Sequence, residues 1–72
     1  MDLPERIHIG ADDKPCIRDT GITVEHVIGL LAQGWTKNEI LTKHANISID
    51  DIRACFKYVA MVLHEQSAIH AS

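Results

Sequence analysis

Apolar residues recur every three to four positions through the last two thirds of the chain, which is the period of an amphipathic α-helix. The first such stretch follows Thr23, a residue type that often begins a helix, and stops before Gly34, which suits the left-handed position after a helix. Its apolar side chains predict one buried stripe, made of Val24, Val27, Ile28 and Leu31.

Two further helices are predicted by how they begin. TKNE at 36–39 has the form of a capping box, in which Thr36 and Glu39 each accept a hydrogen bond from the other's backbone amide. Trp35 and Ile40 flank this box as a hydrophobic staple, and the helix is expected to end near residue 43 or 44. SIDD at 48–51 is a second box with aspartate in place of glutamate.

The third helix carries two apolar strips. The main one consists of Ile52, Phe56, Val59 and Leu63. The second one consists of Ala54, Tyr58, Met61 and Val62. A helix that is apolar on two sides seldom leaves both of them free, so we expect one strip to face the core and the other to face a partner.

The first third of the chain alternates polar and apolar residues around turn-forming segments at 10–14 and 19–21, which predicts a small β-hairpin. Pro15 lacks a backbone N–H, so it belongs at the start of a strand or on an edge. The expected fold is therefore a mainly α, homeodomain-like bundle of three helices containing a helix-turn-helix, with an N-terminal β-hairpin. We divide this single domain into a hairpin arm (6–22), a bundle (23–66) and a frayed tail (67–72).

The length and the net charge of the chain limit the classes of function that it can have. A chain of 72 residues buries only about 60% of the surface that it exposes when unfolded, so a core built from one copy is marginal. The net charge of −3 argues against a protein that mainly grips nucleic-acid phosphates. We expect no membrane span and no signal peptide, and the two cysteines cannot form a disulfide framework, so the expected location is cytoplasmic.

No pattern of catalytic or metal-binding residues stands out. The five histidines are not at zinc-binding spacings, and their expected roles are structural or solvent-facing; they are His8, His26, His44, His64 and His70. An enzyme would need a site built across a dimer interface from His26, His44 or Cys16. We therefore expect no enzymatic activity, no metal and no cofactor.

Three stretches together resemble the family called domain of unknown function 433. KPCIRDTGITV at 14–24 is similar to the family pattern GKPxIxGTRIxV, with Asp19 and Gly21 in place of its second glycine and its arginine. LLAQGWTKNEIL at 30–41 is similar to LLAxGx(S/T)xxEIL, and IDDIRACFKYV at 49–59 is similar to xxEDIxAAxxYA. The resemblance implies a dimeric homeodomain-like bundle, and it implies that many members act as antitoxins beside a PIN-like nuclease toxin.

Two functions follow as hypotheses. The first is a dimeric protein-interaction module that binds a protein partner, such as a PIN-like toxin, through a surface formed by Ile7, Ile9, Ile17, Tyr58, Met61 and Val62. The second is a helix-turn-helix regulator that binds DNA through basic residues gathered on one face, namely Arg18, Lys37, Lys43, Arg53 and Lys57. Because Asp50 and Asp51 stand at the leading turn of the third helix and would repel phosphates, the first hypothesis is preferred.

Overall fold

A computed structural model describes residues 3–70, of which 67–70 are described by their backbone alone. This part of the chain forms two strands and three helices, in the order β1 (Ile7–Ile9), β2 (Pro15–Ile17), α1 (Val24–Ala32), α2 (Lys37–Lys43) and α3 (Ile49–His70). These elements confirm the mainly α fold with an N-terminal hairpin.

The two strands form an antiparallel hairpin in which Ile7 lies opposite Ile17 and Ile9 lies opposite Pro15. Ile7 and Ile17 are fully buried, whereas Ile9 is 44% exposed. Ile7 and Ile9 point to the same face, because side chains alternate along a strand. The difference in burial therefore means that the helices cover only the end of the hairpin where Ile7 and Ile17 lie.

The predicted helix caps are confirmed. Thr23 Oγ1 accepts a hydrogen bond from the His26 amide at 3.0 Å. In the capping box of α2, Thr36 Oγ1 accepts from the Glu39 amide at 3.1 Å, and Glu39 Oε1 accepts from the Thr36 amide at 2.9 Å. Gly34 follows α1 with a φ of +100°, the left-handed conformation that lets the chain leave a helix at little cost.

The core lies where the three helices meet each other and the covered end of the hairpin. Its buried residues are Ile7, Ile17, Val24, Val27, Leu30, Ile40, Ile47, Ile52, Ala54 and Cys55. Leu30 is buried, whereas Ile28 and Leu31, which were predicted in the stripe of α1, are only partly buried. The buried face of α1 is thus turned slightly from the predicted one, because α1 packs against both α3 and β2.

The third helix is longer than the bundle around it. It runs to His70, beyond the boundary at residue 66 that the sequence analysis predicted; residues 71–72 of the predicted tail lie outside the described part. The last residue of α3 that packs against the core is Val59, among those whose side chains are described. The C-terminal half of α3 therefore projects from the bundle.

Candidate interaction surface

An apolar stripe lies on the outside of α3. Ile49, Phe56 and Leu63 are 39%, 42% and 57% exposed. They are seven residues apart, which is nearly two full turns, so their side chains follow one another along the same face of the helix. We call these three residues the outer stripe.

The outer stripe differs from the predicted arrangement of α3. Phe56 and Leu63 were predicted to face the core, and this was wrong, since both are exposed. Ala54 is buried instead, and Tyr58 packs against the core. The buried face centres on Cys55, because α3 lies in the angle between α1, α2 and β1 and is covered from several directions.

The residues predicted to form an interface are not all available to a partner. Ile7 and Ile17 are 0% and 1% exposed, so the chain itself covers them and their assignment to an interface is corrected. Ile9 is exposed at the uncovered end of the hairpin. Met61 and Val62 are half-buried and lie beyond the core, on the projecting part of α3.

The predicted DNA-binding residues are spread over the surface. Arg53 and Lys57 line a groove of about 700 Å³ between residues 3–6 and α3. Lys37 Nζ lies 5.7 Å from the ring centre of Phe56. The other two basic residues are engaged elsewhere: Lys43 Nζ lies 4.9 Å from the Trp35 ring centre, and Arg18 Nε donates to the Glu5 carbonyl oxygen at 2.7 Å.

One buried carboxylate joins the N-terminal segment to the start of α3. Asp51 is 6% exposed, and its Oδ2 accepts from the Ser48 amide at 2.8 Å while Ser48 Oγ accepts from the Asp51 amide at 3.3 Å. This confirms the predicted capping box. Asp51 Oδ1 also accepts from Arg6 Nη1 at 3.1 Å, a contact across 45 positions of sequence. The Asp51 carboxylate therefore points towards the protein and does not face a ligand at the N-terminus of α3.

Two histidines that are distant in sequence meet at the surface. His26 Nε2 and His44 Nε2 are 3.2 Å apart, although 18 positions separate the residues. The pKa of His44 lies below its ordinary value, because partial burial disfavours the charged ring and the charges of His26 and Lys43 add to the effect. Both residues were candidates, from the sequence, for a site shared between two copies, whereas the fold brings them together within one copy.

The two cysteines are free and buried. Burial, with a smaller contribution from the charge of Asp51, raises the pKa of the Cys55 thiol to about 11. Cys16 Sγ donates to the Lys14 carbonyl oxygen at 3.4 Å. Cys55 is therefore protonated at neutral pH and is a poor nucleophile.

The described residues contain neither a cluster of three or more metal-ligating side chains nor a helix suited to spanning a membrane. No three His, Cys, Asp or Glu side chains in the described part of the chain are grouped so that they could hold a metal ion. Of the helices described, none combines the length and the apolar character that crossing a lipid bilayer requires.

Comparison with known proteins gives one match. A family model described as "Protein of unknown function (DUF433)" matches residues 11–59, which extend from the turn of the hairpin to the last core residue of α3. No curated protein and no solved structure matches the chain. The outer stripe lies within the matched segment except for Leu63.

Proposed function

The chain belongs to the DUF433 family, and on that premise we propose that it is a non-catalytic interaction module that dimerises through the outer stripe of α3 and then binds a protein partner. The observation that carries this proposal is the row of three exposed apolar side chains on one face of a helix. Exposed apolar side chains that line up on one face are typical of an interaction site, whereas scattered single ones are not.

The occupant that we propose for the outer stripe is α3 of a second copy. Apolar residues that repeat every seven positions are characteristic of paired helices, in which they interdigitate with equivalent residues of the partner. A two-fold axis would bring the same stripe of both copies together, because dimer interfaces of this symmetry are self-complementary. Phe56, in the middle of the stripe, would lie next to the axis in an antiparallel pair.

The projecting half of α3 supports the same occupant. Residues after Val59 do not pack against the core in the part whose side chains are described, and helices in proteins owe most of their stability to such tertiary packing. A second α3 alongside would cover Leu63 and stabilise this segment. The need for a partner therefore arises at the same place on the molecule as the exposed apolar side chains.

The protein partner is proposed from the family resemblance. The resemblance implies antitoxin-like members, so the partner that we propose is a PIN-like nuclease toxin. A dimer would present two hairpins to this toxin, each with Ile9 at its uncovered end. Co-expression with the product of a neighbouring nuclease reading frame, followed by co-purification through a tag on the nuclease, tests this step. Recovery of the nuclease without this protein would contradict it.

DNA binding is the second candidate, and one observation favours it. Arg53 and Lys57 lie together on α3, the second helix of the helix-turn-helix unit, where a recognition helix would meet DNA. The same helix exposes Ile49 and Phe56, and apolar side chains gain little from phosphates. Fluorescence anisotropy with labelled upstream DNA at two salt concentrations tests this role, because binding through contacts to phosphates weakens steeply with salt.

Dimerisation is tested by placing a charge on the outer stripe. We expect the wild type to sediment as a dimer and Leu63→Glu to sediment as a monomer with its bundle intact by circular dichroism. Leu63 is suited to this test because it is the most exposed of the large apolar residues whose side chains are described, and because it lies beyond the core.

Met61→Glu is the matched variant. Residues two positions apart in a helix lie on nearly opposite sides, so Met61→Glu introduces the same charge away from the outer stripe and is expected to leave the dimer intact. A dimer that survives Leu63→Glu would overturn the proposed seam. Loss of the dimer in Met61→Glu alone would instead assign the interface to the side of Met61 and Val62.

A further inference from the structure

The His26–His44 pair has fixed positions at the ends of two helices. His26 lies in the first turn of α1, where its amide donates to Thr23 Oγ1. His44 ends α2, where its amide donates to the Ile40 carbonyl oxygen at 2.9 Å and its carbonyl accepts from the Ile47 amide at 3.2 Å. Both backbones are thus held by hydrogen bonds that do not involve the rings, so the imidazoles are brought together by the fold.

The two rings face each other through the nitrogens that commonly bind metals. The Nε2 atoms are 3.2 Å apart, while the ring centres are 5.2 Å apart and the planes are inclined by 80°. Because the nitrogens are much closer than the ring centres, both Nε2 atoms point into the gap between the rings. In tetrahedral zinc sites the Zn–N distance is about 2.0–2.1 Å, so two nitrogens bound to the same ion are about 3.3 Å from each other.

We propose that His26 and His44 bind one divalent transition-metal ion through their Nε2 atoms. Imidazole nitrogen suits ions such as Zn²⁺, Ni²⁺ and Cu²⁺, whereas Mg²⁺ and Ca²⁺ prefer oxygen. His26 is exposed and His44 is half-buried, so an ion reaches the pair from solvent. Water completes the coordination, since the described residues contain no third grouped ligand.

Binding requires little change in the protein. Without an ion, one Nε2–H donates to the other Nε2, and this hydrogen bond sets nearly the same separation as a shared ion. When the ion enters, the donor ring moves its proton from Nε2 to Nδ1, so both Nε2 lone pairs become available and no proton is lost. The ion then ties the start of α1 to the end of α2.

The test is a titration of untagged, chelator-treated protein with ZnCl₂ or NiCl₂. We expect one ion per chain by isothermal titration calorimetry, and a melting temperature that rises by about 10–20 °C when the free ion is at 100 times its Kd. MgCl₂ at the same concentration should leave the melting temperature unchanged. Absence of a shift with both ZnCl₂ and NiCl₂ at millimolar concentration would overturn the proposal.

Single substitutions test whether His26 and His44 are the residues that bind the ion. His26→Ala and His44→Asn should each weaken binding at least about tenfold, because a single imidazole loses the advantage of two linked donors; asparagine also suits the end of a helix. His64→Ala, which removes an exposed histidine of α3, is the control and should bind as the wild type does. Wild-type affinity in either pair variant, or loss of binding in His64→Ala, would contradict the assignment. Neither result bears on dimerisation through the outer stripe.

Discussion

Asp13 and Asp19 occupy left-handed backbone positions, with φ of +62° and +63°. Asp13 lies in the turn between β1 and β2, and Asp19 lies in the turn that follows β2. Both stand where the family pattern has glycine, the residue that adopts this conformation without steric cost. Aspartate tolerates it better than most residues, since its short side chain can hydrogen-bond locally. Both turns therefore adopt a conformation that glycine favours although aspartate stands there, and Gly21 adds a further positive φ of +72°.

Asp19→Gly is expected to stabilise the protein. It removes the left-handed strain of a non-glycine residue, and we expect the free energy of unfolding to rise by about 0.5–1 kcal/mol in urea denaturation. Asp12→Gly is the matched control: it removes the same charge at a position outside the positive-φ set and deletes the hydrogen bond that Asp12 Oδ1 accepts from the Lys14 amide. Equal effects of the two substitutions would show that charge, and not backbone strain, matters.

Cys55 is expected to make the free energy of unfolding decrease at alkaline pH. Its thiol has a pKa of about 11 in the folded protein, compared with the ordinary value of 9.0. Between these values the unfolded chain loses the proton and the folded chain keeps it, so stability falls as the pH rises. We expect a loss of about 2 kcal/mol between pH 8 and pH 11.

Cys55→Ala provides the reference for that slope, because lysines and the tyrosine also titrate in this range. The alanine variant should be less stable at pH 8 and should show a smaller decline in its free energy of unfolding towards pH 11. Parallel curves for the two proteins would contradict the raised pKa.

At the scale of elements, the start of α3 is the best-supported helix end of the described chain. The capping box of α2 is exposed, whereas that of α3 includes the buried carboxylate of Asp51 and its contact with Arg6. A hydrogen bond to a buried charged group contributes more than an exposed one, and leaving its partner unsatisfied is costly. The junction between the N-terminal segment and α3 therefore depends on Asp51 more than α2 depends on Glu39.

Asp51→Ala is expected to lower the free energy of unfolding by about 2–3 kcal/mol. It removes the carboxylate of the capping box and so leaves the Ser48 amide without its acceptor. Glu39→Ala, the equivalent change in the exposed box of α2, should cost about 0.5–1 kcal/mol. Arg6→Ala should also cost less than about 1 kcal/mol, because the Arg6 side chain is 51% exposed. Urea denaturation of the three variants measures this order, and similar losses for Asp51→Ala and Glu39→Ala would contradict it.

At the scale of the whole molecule, the chain is elongated. Its radius of gyration is 12.8 Å and its extents are 43 × 28 × 20 Å, whereas a compact domain of this length has a radius of about 11 Å. The projecting half of α3 accounts for the excess. If the outer stripe pairs two copies, the melting temperature of the wild type rises with protein concentration and that of Leu63→Glu does not.

Local features of the fold could be predicted because they depend on residues close together in sequence. The capping boxes of α2 and α3, the position of Gly34 and the hairpin turns each involve neighbours within five positions. The orientation of α3 could not be predicted in the same way. Phe56 and Leu63 were assigned to the core, yet Ala54 and Cys55 are buried, because the choice among several apolar faces depends on how α1, α2 and β1 surround the helix.

The same distinction holds for the candidate sites. The seven-residue spacing of Ile49, Phe56 and Leu63 is visible in the sequence, and only its exposure required the structure. The contacts of His26 with His44 and of Arg6 with Asp51 have no sequence signal, since 18 and 45 positions separate the partners. The sequence by itself therefore determined the helices, the residues at which they begin and the family, through hydrogen bonds and steric preferences of adjacent residues. Only the tertiary structure decided which side chains are covered and which distant groups meet, because burial and long-range contact are properties of the packed chain.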